Sequence, residues 1–157
     1  MDFARSLIGT KEVPGAGNSP TIMGWAKGLG NKVLGMAYNA DSTPWCGLFV
    51  GHVMRSVGLP VVPICVRASA WDKWGDATTP CYGALVRFQR EGGGHVGILT
   101  GQTKTQFRVL GGNQSDQVNE TLIDKSRAVA FRWPTGVTNP KLGLPMVAGG
   151  KSSKNEA

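Results

Sequence analysis

Near residue 83 the spacing of apolar side chains changes its period, and this restricts the fold more than any other feature of the chain. Upstream, apolar residues recur at helical intervals over residues 20–29 and again at Leu48, Phe49, Val53, Met54 and Val57. Downstream of Gly83, short alternating runs follow one another at residues 84–89, 95–100, 106–110 and 128–133, with a weaker one at 118–122. That two-residue period belongs to half-buried strands. Helices first and strands afterwards predict an α+β domain, its N-terminal helices packed on a C-terminal antiparallel meander. A short first helix is expected over residues 2–8, and a helical turn over 68–74 that stops at Gly75. At 157 residues the chain is long enough for one domain with a real core, placed at residues 1–136. Residues 137–157 turn to Gly, Pro, Lys and Ser and read as a tail, disordered over 149–157.

Cys46 sits where the middle helix begins. Asp41, Ser42 and Thr43 are all capping residues, and Pro44 suits a first helical position because its missing N–H costs nothing there. With Thr43 as the cap, Cys46 falls at the third helical position, among N–H groups without an internal partner. Those amides and the helix dipole favour an anion and should draw the thiol toward its nucleophilic thiolate. Gly58 and Pro60 end the helix. A buried structural cysteine on an apolar helix is the competing reading, since free Cys is among the most buried residue types.

Two histidines can serve as its base. His52 lies six residues after Cys46, on another helical face and more than a turn away, which suits packing better than partnership. His95 opens an alternating strand after the turn Glu91-Gly92-Gly93-Gly94, and is the better candidate. A third group should orient the imidazole. The next strand ends in Gly111-Gly112-Asn113-Gln114-Ser115-Asp116, where Asn113 is the first choice, with Gln114 and Asp116 behind it. A plain polar turn explains the same residues equally well.

These segments carry a family resemblance. The residues are Ile8-Gly9-Thr10-Lys11-Glu12-Val13-Pro14-Gly15, Asp41 with Thr43-Pro44-Trp45-Cys46 and Phe49-Val50, and Ala70-Trp71 with Trp74-Gly75. They continue with Gly94-His95-Val96-Gly97, Leu110-Gly111-Gly112-Asn113-Gln114 and Phe131-Arg132-Trp133-Pro134. In this order, over residues 7–134, the chain resembles the papain-like CHAP and NlpC-type cysteine hydrolases that cut bacterial cell walls, and most of all a compact phage-associated lysin subgroup. The resemblance implies a papain-like α+β fold with Cys46 as nucleophile, His95 as general base and Asn113 as orienting residue. It implies hydrolysis of a peptidoglycan amide through a thioester, as an amidase or an endopeptidase. Trp45, Asp41, Glu12, Gln114 and Trp71 are the expected substrate-side residues, with Asn18 and Trp74 beside them. One departure is Gly47, where relatives often carry serine. Some superfamily members bind calcium through an acidic loop before the cysteine. That region offers only Asp41, so no metal and no cofactor are expected.

Charge and cysteine content bound the partners. A net charge of +7, from 17 basic and 10 acidic residues, draws the surface to anionic envelope polymers. No aromatic-basic pattern, helix-turn-helix or zinc-finger spacing favours nucleic acid. Three cysteines, Cys46, Cys65 and Cys81, do not make a disulfide framework, though Cys65 and Cys81 could pair. The first residues lack the basic start and long apolar segment of a signal peptide, and no run spans a bilayer. The expectation is a monomer made in the host bacterial cytoplasm and released to the wall, or carried with a virion. The rival reading is a non-catalytic, basic wall-binding module of the same fold.

Overall fold

The computed structural model describes residues 1–154. Four helices come first: α1 (Asp2–Ser6), α2 (Pro20–Leu29), α3 (Asn31–Leu34) and α4 (Cys46–Ser56). Six strands follow: β1 (Asp76–Ala77), β2 (Leu85–Arg90), β3 (Gly93–Gln102), β4 (Gln106–Gly111), β5 (Asn119–Asp124) and β6 (Ala128–Trp133). The chain is therefore α+β. A 3-10 segment, Ala68–Lys73, fills the place of the expected helical turn. Helix α2 shows how local signals set an element. Ser19 accepts from the Ile22 N–H at 3.3 Å, Pro20 takes the first position, and Gly30 at φ 84° ends it.

All six strands form one antiparallel sheet in the order β1-β6-β2-β3-β4-β5. Strands β2 to β5 are the expected meander, but β6 returns to the free edge of β2 instead of extending past β5. The outer side of β5 is taken by the C-terminal segment: the Leu122 N–H donates to Lys151 O, and the Ser153 N–H to Leu122 O, both at 2.9 Å. Upstream, the Gln102 N–H donates to Pro145 O at 2.9 Å, and Leu144 is buried. The tail over residues 144–153 is thus fixed to the sheet, against the expected disorder from residue 149. Backbone pairing at a strand edge needs no apolar pattern, and it covers a row of otherwise open N–H and C=O groups. The end of that expectation, residues 155–157, lies outside the described residues.

Two apolar clusters hold the layers. Leu48, Phe49, Val50 and Val53 of α4 pack with Trp25 and Leu29 of α2 and with Val96, Ile98 and Leu110 of the sheet. Val86, Phe88, Leu99, Phe107, Val109 and Ile123 form the second cluster with Leu144. Each fully buried side chain of this size contributes roughly 1.5–3 kcal/mol. Helix α4 also carries two glycines packed closely against their neighbours. A Cβ on Gly47 would lie 2.1 Å from Cys65 O and 2.8 Å from Val66 O, and one on Gly51 3.1 Å from Leu29 Cδ1. The loop at residues 65–66 is therefore pressed onto the first turn of α4. Among the described residues no helix is long and apolar enough to cross a membrane.

Candidate active site

Helix α4 begins at Cys46 itself, with Trp45 as the capping position. Cys46 is thus the first helical residue and not the third, because Trp45 stays out of the helix at φ −128° while its indole Nε1–H donates to Glu12 Oε1 at 2.7 Å. The tertiary contact outweighs the capping pattern of Thr43 and Pro44. The thiol remains at the helix N-terminus, where partial positive charge collects. Burial pushes the Cys46 thiol up. The neighbouring His95 side chain and its charge, with the backbone N–H groups of Val96 and Gly47, outweigh burial and bring it below the ordinary thiol value. Cys46 keeps 5 % of its surface exposed and His95 none.

His95, near the start of β3, pairs across the sheet with Phe88 of β2. Its Nε2 lies 2.9 Å from Gln114 Oε1. The orientation of that amide follows from its surroundings. Gln114 Nε2 donates to Val109 O at 3.2 Å, Asn119 O at 2.8 Å and Asn119 Oδ1 at 3.0 Å, all acceptors, so the oxygen must face the histidine. The Asn119 Nδ2–H group returns a bond to Gln114 O at 2.8 Å. An acceptor at His95 Nε2 places the ring proton on that nitrogen in the neutral form.

The loop that delivers Gln114 is held in an unusual conformation. Asn113, Ser115 and Asp116 have φ of 59°, 54° and 60°, the left-handed region that Asn and Asp tolerate best. The Gln114 N–H donates to Gln117 O, and the Glu12 N–H to Asp116 O, tying the loop to the N-terminal segment. Two glycines make room for it. A Cβ on Gly111 would lie 2.7 Å from Gln114 Oε1 and 3.2 Å from His95 Nε2, and one on Gly112 2.5 Å from Phe49 Cβ. The Gly111-Gly112 pair thus lets the loop lie against both the histidine and the cysteine helix.

Cys46, His95 and Gln114 are brought together, whereas Asn113, the first choice as orienting residue, is not the side chain at His95 Nε2. Asn113 is buried with Oδ1 lacking a hydrogen-bond partner. The expected substrate-side residues are mostly structural. Trp45 and Trp71 are fully buried, so neither offers a face to a groove; Trp71 Nε1–H donates to Cys65 O at 3.0 Å. Trp74 is also buried and donates to Pro60 O. Asp41 accepts from the Val13 and Ser19 N–H groups at 2.9 and 2.6 Å, and its own N–H donates to Asn18 Oδ1. These residues clasp the N-terminal segment to the loop before α4. Glu12 is half-buried; burial raises its carboxyl above the usual value, with Asp116 and Asp41 adding to the rise and the Trp45 bond opposing it. Asp116 stays on the exposed side of the loop. His52 stacks on Trp25 with centroids 4.8 Å apart and is a packing histidine.

Tyr38 was not singled out by the sequence. It is buried, donates to Thr43 O at 2.7 Å, and its phenol is pushed well above the usual range by burial, then by the negative charges of Glu12, Asp41 and Cys46. It anchors the approach to α4 and stays a neutral hydroxyl beside the thiol. All three cysteines are free and buried. Among the described residues no group of three or more His, Cys, Asp or Glu side chains is placed to hold a metal ion. The chain matches no family model, no curated protein and no solved structure.

Proposed function

We propose that this protein is a cysteine amidohydrolase that cuts an amide bond of bacterial peptidoglycan, on a papain-like arrangement of a helix-borne thiol facing a strand-borne imidazole. One observation carries the reading: a thiol at a helix N-terminus, lowered by the His95 ring beside it, with the Nε2 of that ring held by a fixed amide oxygen. Nucleophile, base and orienter in line are what acyl transfer needs. The substrate class rests on the resemblance over residues 7–134 and on the +7 charge, suited to an anionic wall.

In the reaction, the Cys46 thiolate attacks the amide carbon and a carbon–sulfur bond forms. The Cys46 N–H, first in α4, is suited to hold the oxyanion. His95 gives its Nδ1 proton to the leaving nitrogen, the carbon–nitrogen bond breaks, and a thioester remains. Water then attacks while His95 takes its proton, and the sulfur leaves with the acid released. Throughout, Gln114 keeps the ring in one orientation.

The test is turbidity loss of outer-membrane-stripped bacterial walls with wild type, Cys46→Ala and His95→Ala, followed by mass spectrometry of the soluble fragments. Clearing by wild type alone supports the reading, and the fragment masses separate amidase from endopeptidase. Equal behaviour of all three proteins refutes it and favours a wall-binding module.

A further inference from the structure

Next to the turn that leads into His95 lies a surface pocket of about 400 Å³, bounded by Arg67, Ser69, Arg87, Gln89 and the turn glycines 92–94. We propose that this pocket is an anion subsite that binds a carboxylate of the substrate through Arg67. For the identity of that substrate it rests on the hydrolase reading above, since peptidoglycan stem peptides carry free carboxylates.

Position is the first argument. A single loop touches both catalytic elements. Cys65 O and Val66 O press on Gly47, next to the nucleophile, and Ala68 Cβ would lie 3.4 Å from a Cβ on Gly94, next to His95. Arg67 stands in the loop between these two contacts and lines the pocket.

Charge is the second. Arg87 is already neutralised: its Nε and Nη2 donate to Asp72 Oδ1 and Oδ2 at 2.7 and 2.6 Å, and its Nη1 to Gln89 Oε1 at 2.9 Å. Those bonds make it a rigid wall. Arg90 lies under the turn, its Nε donating to Gly94 O at 3.3 Å. Arg67 is exposed, and among the described residues no carboxylate pairs with it. Two guanidinium groups, those of Arg67 and Arg87, thus line the pocket, with Asp72 bound to the second and Glu91 exposed on the turn. The planar fork of an uncommitted arginine matches a carboxylate in two parallel hydrogen bonds, with the exposed Ser69 within the same lining as a further donor.

Shape is the third. Gly92, Gly93 and Gly94 form one side of the pocket, so no side chain from the turn occupies that side.

The test uses paired muropeptides that differ only in a free or amidated carboxyl group, with wild type, Arg67→Ala and Arg67→Lys. Wild type should favour the free carboxylate by about tenfold or more in kcat/KM, the size of one charge-assisted hydrogen-bonded pair. Arg67→Ala should bring that ratio to about one, chiefly through KM, and Arg67→Lys should restore part of it. A preference absent in wild type, or surviving in Arg67→Ala, overturns the subsite. A second readout needs no turnover: N-acetyl-D-alanyl-D-alanine, or its C-terminal amide, is titrated into Cys46→Ala protein while the amide resonances of residues 92–94 are followed. Shifts with the acid only, lost when Arg67→Ala is added, support the subsite even if wild type cleaves no wall. No shift with either peptide overturns it whatever the walls do.

Discussion

Gln114→Ala removes the amide oxygen that faces His95 Nε2 and leaves the contacts of the thiol in place. A hydrogen bond to a charged ring is worth about 1.5–3 kcal/mol, against about 1 kcal/mol for a neutral one. The substitution should therefore disfavour the thiolate–imidazolium pair by about 1 kcal/mol relative to the neutral pair, roughly fivefold in thiolate population. Alkylation of Cys46 by iodoacetamide at neutral pH should slow by about the same factor, and wall hydrolysis should fall further because the ring also loses its fixed orientation. Stability falls too. Gln114 is 1 % exposed, so its bonds to Val109 O, Asn119 and His95 Nε2 are lost in a dry site. At about 1–3 kcal/mol each the loss is about 3 kcal/mol, or about 10 °C in Tm. Alkylation is accordingly measured well below the transition.

The control is Asn113→Gly, which keeps the left-handed backbone and removes a side chain whose oxygen has no partner. It should leave alkylation within twofold of wild type and stability unchanged or slightly raised. The reverse pattern, with Asn113→Gly slowing alkylation and Gln114→Ala leaving it alone, would refute the assignment of Gln114.

Three further outcomes follow from packing and charge. Gly47→Ser should cost about 3 kcal/mol in urea unfolding, because its Cβ would sit 2.1 Å from Cys65 O; an unchanged midpoint would show that the loop yields. Burial lowers the His52 imidazole below its ordinary 6.5, so below that pH the unfolded chain binds more protons and stability falls as pH falls. His52→Phe, which can keep the stack on Trp25, should flatten that acid limb in unfolding titrations; an unaltered slope would assign it to other groups. Glu12→Gln should retain the acceptor for Trp45 Nε1 and stay within about 0.5 kcal/mol of wild type in urea unfolding, whereas Glu12→Leu strands that indole N–H at about 1–3 kcal/mol; equal stabilities would make the bond dispensable.

What could be read in advance follows how local the cause is. Helix α2 was legible at both ends because Ser19, Pro20 and Gly30 act on their own backbone. Strand β6 was legible because Phe131 and Trp133 flank Arg132 at the end of an otherwise apolar run. Helix α3, four residues between Gly30 and Gly35, is too short to show a period, and β1 is two residues whose pairing with β6 is purely backbone. The tail was misread for a related reason: Lys151 O and the Ser153 N–H hold it to Leu122, and main-chain bonds leave no trace in composition. The start of α4 was misplaced because Thr43 and Pro44 signal a cap, while the indole of Trp45 is drawn to Glu12 from a distant segment.

The site shows the same division at finer scale. Cys46 and His95 could be found because each stands beside a punctuating local motif, a capping run or a glycine turn. The orienting side chain depends instead on the rotation of one residue. At φ 59° Asn113 turns the chain so that the longer Gln114 projects to the histidine. Reach alone does not select glutamine over asparagine. The remaining half of its amide does, because an NH₂ group among Val109 O, Asn119 O and Asn119 Oδ1 satisfies three acceptors that a carboxylate would repel. Gln114→Glu should therefore be no improvement on the amide, although a carboxylate would favour the imidazolium more strongly. The gain at His95 Nε2 is offset by the loss of a donor facing three buried or half-buried oxygens. A Gln114→Glu variant more stable than wild type above the carboxyl pKa would show that His95 dominates the balance.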